Sequence, residues 1–143
     1  MLTDSSLERF LNAQKTDYAQ ALSEIRNGQK RTHWMWYIFQ QLAGLGYSEM
    51  AHHYAIKDLH EARAYLDHPV LGPRLIDIAT ALLQVKGKTA SQLMGRPDDV
   101  KLKSSMTLFS LVKPGNPVFE QVLAAYFQGL PDDRTISLVN NSR

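Results

Sequence analysis

Two stretches of this chain hold residue types that could act on a small molecule. The first, KRTHWMWYIFQQL at 30–42, sets Lys30, Arg31 and His33 directly before or beside Trp34 and Trp36. Cation, imidazole and indole at one end of a helix can hold a planar anion by charge and stacking. The second, DDVKLKSSMTLF at 98–109, places Lys101, Ser104, Ser105 and Leu108 on one helical face and Leu102, Met106 and Phe109 on another. A cation beside two hydroxyls suits a phosphate or carboxylate. The candidate ligand-binding set is therefore Arg31, His33, Trp36, Lys101, Ser104 and Ser105. Arg31, His33, Lys101 and Ser104 are expected to converge on one cleft. His33 is the candidate general acid or base, because imidazole titrates near neutrality. Each residue also has a plainer reading. The two Trp side chains are core anchors, the serines bond carbonyls four residues back, and Arg31 or Lys101 pairs with Asp98 or Asp99 as a brace.

Other chemistries find less support. The histidines are His33, His52, His53, His60 and His68. Glu49 and His53 lie one helical turn apart, but no third ligand stands at a recognisable spacing and there is no H-E-x-x-H. No metal and no cofactor are expected. With no cysteine, thiol nucleophiles, Cys-ligated metals and disulfides are excluded. Ser104, Ser105 and Thr107 lack a G-x-S-x-G elbow, and Gly44-Leu45-Gly46 lacks the rest of a phosphate loop. Asp98 and Asp99 read as helix N-terminal residues before they read as an acid/base pair.

Composition bounds the partners. Apolar residues make up 44% and charged residues 21%, a globular balance with enough length, at 143 residues, for a single domain over 1–143 with its own core. The net charge of +2, from 16 basic and 14 acidic residues, is too even for general nucleic-acid binding. The longest apolar run, 34–39, is far below the roughly 20 residues that cross a bilayer. The start carries Asp4 and Glu8 and has no basic-then-apolar leader, so a cytoplasmic location is expected and no membrane association.

The elements that must position these residues read as helices. Leu7, Phe10, Leu11, Tyr18, Leu22 and Ile25 recur at helical steps across 7–25, with Ser5 and Glu8 as a capping box and Gly28 as the stop. Gln14 lies on that apolar face, as a satisfied core group or as one aimed at a ligand. The segment 33–42 is apolar all round, compatible with a buried helix or strand; Gln40, Gln41 and the Ala43-Gly44 exit favour helix. Ser48 caps a short helix over 49–55, and Asp58 caps another over 59–66. Pro73 falls in the first turn of a longer helix that ends by Gly87. Thr89 and Gln92 form a capping box closed by Gly95. Pro97-Asp98-Asp99 opens a helix running to Pro114-Gly115, and Asn116-Pro117 opens the next, which ends at Gly129. The tail beyond Pro131 is short and polar, so the core is expected over about 5–130. No segment alternates with period two. The predicted fold is an all-α, irregular bundle of about six to eight helices.

Four blocks carry a resemblance to a known family. AQKTDYAQALSEIRNGQKRTHWMWYIF, YAIKDLHEARAYLDHPVLGPRL, DDVKLKSSMTLF and YFQG are similar, in order, to blocks of the DUF1810 proteins, also called Rv1873-like. The likeness covers about 7–135. It implies a mostly helical single domain and carries no assigned activity. The calpastatin label borne by some members finds no counterpart here, since such inhibition needs repeated disordered segments. Where the family usually has proline after Phe39, this chain has Gln40, which can continue a helix that proline would bend. Three functions remain open on the sequence: a domain binding a small anionic or nucleotide-like ligand in a basic, aromatic cleft; an enzyme acting on such a ligand through His33; and a protein-interaction module without a ligand.

Overall fold

In the computed structural model, which describes residues 7–141, helical periodicity becomes nine helices with no strand among those residues. They are α1 (Glu8–Arg26), α2 (Met35–Ile38), α3 (Glu49–His53), α4 (Leu59–Asp67), α5 (Leu71–Gln84), α6 (Ala90–Met94), α7 (Asp98–Ser110), α8 (Val118–Phe127) and α9 (Asp133–Asn141). The all-α class is as expected. The capping box at Ser5 depends on a residue outside those described.

Short polar side chains set most starts. Ser48 accepts from the Ala51 amide, Asp58 from Glu61, and Thr89 and Gln92 bond reciprocally. Asn116 accepts from the Val118 amide at the start of α8. Apolar stripes then join in one core, with Phe10, Phe39, Tyr65, Phe109 and Phe119 fully enclosed. Helix α7 is the hub, packed on α4, α6, α8 and α9, while α5 joins α1, α4 and α8.

Three elements differ from the sequence reading. The segment 33–42 is one helical turn, not a long helix: Phe39 leaves it at φ −120°, ψ 81°, and Leu42 forms an isolated parallel bridge with Ile56. The turn stops because the buried Gln40 amide donates to the Tyr37 carbonyl at 2.7 Å and to the Tyr65 hydroxyl at 2.8 Å. Gln40 thus ends the helix where a proline would. Secondly, α7 has no polar outer face opposite its core face, because Ser104, Ser105, Thr107 and Leu108 are buried along with Leu102 and Met106. Small hydroxyl side chains allow neighbours to approach from all sides, and Ser104 and Thr107 bond the Val100 and Lys103 carbonyls one turn back. Thirdly, the tail is helix α9 packed on α7, which raises the helix number beyond six to eight. Asp132 caps it, accepting from the Thr135 amide and hydroxyl, and Thr135 and Val139 are buried four residues apart.

Candidate functional site

The path from sequence to site begins with a buried carboxylate. Glu24 sits on the α1 face shared by Ala21 and Ile25 and is 3% exposed. One of its oxygens accepts from the Arg31 amide at 2.8 Å, the Thr32 amide at 3.1 Å and the Trp34 indole at 2.8 Å. The other accepts from the Thr32 hydroxyl and the Gln20 amide. Burial works against ionisation here, but the donors from Arg31, Gln20, Thr32 and Trp34 outweigh it and hold the carboxyl down to about 2. Glu24 thereby folds 31–34 back onto α1 and buries the Trp34 ring.

The basic residues at the mouth of that turn separate in space. Lys30 is nearly buried, reaches Asp98 at 2.9 Å and lies 4.9 Å from the Trp34 ring centre. This ties the turn to the first residue of α7. Arg31 and His33 are exposed. Gln14 is a satisfied core group, donating to the Tyr37 carbonyl and Tyr65 hydroxyl and accepting from Arg74.

One residue further on, Trp36 faces the other way. It is half-buried and forms a wall of a cleft of about 360 Å³. Lys101 lies in that cleft with its Nζ 5.4 Å from the Trp36 ring centre, and 3.7 Å from an Asp98 oxygen. Ser104 lines the same cleft, as do Asp132 and Arg134 from the start of α9 and Tyr47 from the loop before α3. The Asp132 carboxylate is engaged in capping α9, while of the two cations Lys101 pairs loosely with Asp98 and Arg134 donates to the Gly44 carbonyl at 3.4 Å. Gly46 closes the loop over this space: a Cβ there would lie 2.6 Å from that of Ala51.

Trp36, Lys101 and Ser104 are therefore brought together, whereas Arg31 and His33 do not line the cleft. The expected convergence of Arg31 and His33 with Lys101 and Ser104 is corrected on this point. The reason is the Glu24 cage, which fixes the backbone of 31–34 with those two side chains directed to solvent. Ser105 is also outside the cleft. Its side chain is fully buried and its Oγ has no hydrogen-bond partner among the described residues. Removing an unsatisfied buried hydroxyl is close to neutral or favourable. Ser105→Ala should therefore leave stability unchanged or raise it by up to about 1 kcal/mol in denaturant melts; a loss beyond about 1 kcal/mol would show that the hydroxyl is satisfied.

Arg134, Tyr47 and Gln41, which also line the cleft, are not among the site residues that the sequence leads one to expect. Asp132 three residues before Thr135, followed by Ile136 and Val139, is the N-cap and helix spacing that would have placed Arg134. Among the described residues no group of His, Asp and Glu could hold a metal ion, and no helix is long and apolar enough to cross a membrane.

A family model described as a protein of unknown function (DUF1810) matches residues 4–139. The chain is similar in structure to the conserved hypothetical protein Rv1873 from Mycobacterium tuberculosis, known from a crystal structure. The two are 46% identical with a TM-score of 0.92, over 94% of this chain and 96% of that one. No curated protein sequence matches the chain.

Proposed function

The chain belongs to the DUF1810 family, and within that helical fold we propose that it binds a small anion-bearing planar ligand in the cleft between Trp36, α7 and α9. The observation that carries this reading is the joint placement of an indole, two cations and a hydroxyl, Trp36, Lys101, Arg134 and Ser104, around one concave space. Small-ligand sites are concave, largely apolar and provided with a few polar groups. The firm partner of Asp98 is Lys30 at 2.9 Å, and Lys101 at 3.7 Å is its looser one. Lys101 can therefore turn to an anion while Asp98 stays neutralised.

The enzyme reading loses its candidate acid/base, since His33 lies outside the cleft. The interaction-module reading draws support from Tyr47 and Val100, 81% and 50% exposed at the rim. Tyr47 and Val100 share that cleft with Lys101, Asp132 and Arg134, so the rim is of mixed character rather than a purely apolar docking patch.

Thermal shift with phosphate, pyrophosphate and AMP tests the reading. A ligand that binds only the native state raises the melting temperature. At least one of these anions should do so for the parent chain, and Lys101→Ala and Arg134→Ala should each remove most of the rise. The unliganded melting temperature should fall by less than about 4 °C, because the partly exposed Lys101–Asp98 pair and the exposed Arg134–Gly44 hydrogen bond each contribute about 1 kcal/mol or less. Equal anion stabilisation in parent and both variants, or none in the parent, would contradict it.

A further inference from the structure

We propose that the ligand has two parts, a phosphate monoester and a neutral heteroaromatic ring, as in a nucleoside monophosphate, and that Gln41 with Trp36 receives the ring. This rests on the anion-binding reading above and goes beyond it in naming a ligand class and a specificity residue. A second cavity of about 290 Å³ adjoins the cleft, and the two share Trp36, Gln41, Gly46 and Ala51 as walls. Their chemistry is opposed. Lys101, Asp132 and Arg134 line only the first chamber, while no Asp, Glu, Lys or Arg lines the second. A free inorganic anion would use the first chamber and leave the second, with its Leu42, Tyr54 and His52 surfaces, unused. A charged head joined to an uncharged ring would use both.

Gln41 stands at the junction. Its backbone is fixed, because its carbonyl accepts from the Ile56 amide at 2.9 Å beside the Leu42–Ile56 bridge. Its partly buried side-chain amide, unlike that of Gln40, has no hydrogen-bond partner among the described residues. An amide offers a donor and an acceptor together, which matches the edge of a heterocyclic base or a ribose hydroxyl. Trp36 contributes on both sides: Lys101 lies over its ring in the basic chamber, and the neutral chamber gives a heteroaromatic ring an indole to stack on.

Calorimetric titration of the parent chain with inorganic phosphate, the four common nucleosides and their 5′-monophosphates tests this. At least one monophosphate should bind tenfold or more tighter than both phosphate and its own nucleoside. Gln41→Leu should weaken that monophosphate about tenfold, the worth of a good hydrogen bond, and weaken phosphate by a smaller factor. Lys101→Ala should weaken phosphate and monophosphate alike. Phosphate binding as tightly as every monophosphate, or a Gln41→Leu variant that binds the monophosphate undiminished, would overturn the two-part ligand and leave the anion site standing. Binding of none of these probes would overturn both.

Discussion

Glu24→Gln will destabilise the protein by about 3 kcal/mol at neutral pH, and the difference from the parent will shrink as the pH falls below 4.5. The carboxylate accepts five hydrogen bonds while 3% exposed, and its carboxyl is lowered from an ordinary 4.5 to about 2. A group whose folded pKa is depressed contributes stability that is fully present above its unfolded pKa. That contribution is lost as the pH drops through the window from 4.5 to about 2. A shift of that size corresponds to about 3 kcal/mol. The amide of Gln carries no charge and offers one acceptor oxygen in place of two, so Thr32 or Gln20 must reorient. Guanidinium melts of parent and variant at pH 7, 4 and 2.5 give the test. A gap that stays constant across the three would mean that Glu24 is not ionised in the cage.

Trp34→Ala will cost about 3–5 kcal/mol, whereas Trp36→Ala will cost about 1–2 kcal/mol. The two indoles stand two residues apart in one apolar run, and composition alone treats them alike. Trp34 is 1% exposed, packs near Phe39 and Lys30, and gives its N–H to Glu24. Its removal leaves a cavity and takes a donor from a buried carboxylate. Trp36 is half-buried against the cleft and leaves mostly open space behind. Trp34→Phe separates the contributions, since it keeps an aromatic ring and deletes only the indole edge and its donor. Equal losses at 34 and 36 would contradict the division of the pair into a core anchor and a cleft wall.

That division marks where sequence reading ends. Helices with a local start signal were legible, as at Ser48, Asp58 and Thr89, because a cap and its partner lie three residues apart. Gly28 and Gly95, both at positive φ, ended α1 and α6 as anticipated. Long-range satisfaction was not legible. Nothing local to Gln40 announces that Tyr65, 25 residues away, will take its amide proton and stop α2. Nor does Glu24 advertise the Arg31–Trp34 turn that it encloses. The basic residues at 30, 31 and 33 looked equivalent because their counter-groups, Asp98 for Lys30 and solvent for Arg31 and His33, are set by packing. Lys101, Ser104 and Trp36 lie together because α7 is the hub on which the turn and α9 both pack. Arg134 is hard to place for a different reason: a short polar tail reads as unstructured, although Asp132, Thr135 and Val139 carry a cap and a buried stripe.

The most direct measurement uses the two tryptophans as internal probe and control. Their indole N–H groups give two resolved signals in an ¹H–¹⁵N spectrum, assigned by Trp36→Phe. In titrations with the four common nucleoside 5′-monophosphates, at least one should move the Trp36 signal progressively and saturably, while the Trp34 signal, bonded to Glu24 in the core, stays in place. The Trp36 response should vanish in Lys101→Ala. A Trp36 signal that moves with neither phosphate nor any of these monophosphates at millimolar concentration, or one that moves equally in Lys101→Ala, would contradict a ligand site between Trp36 and Lys101.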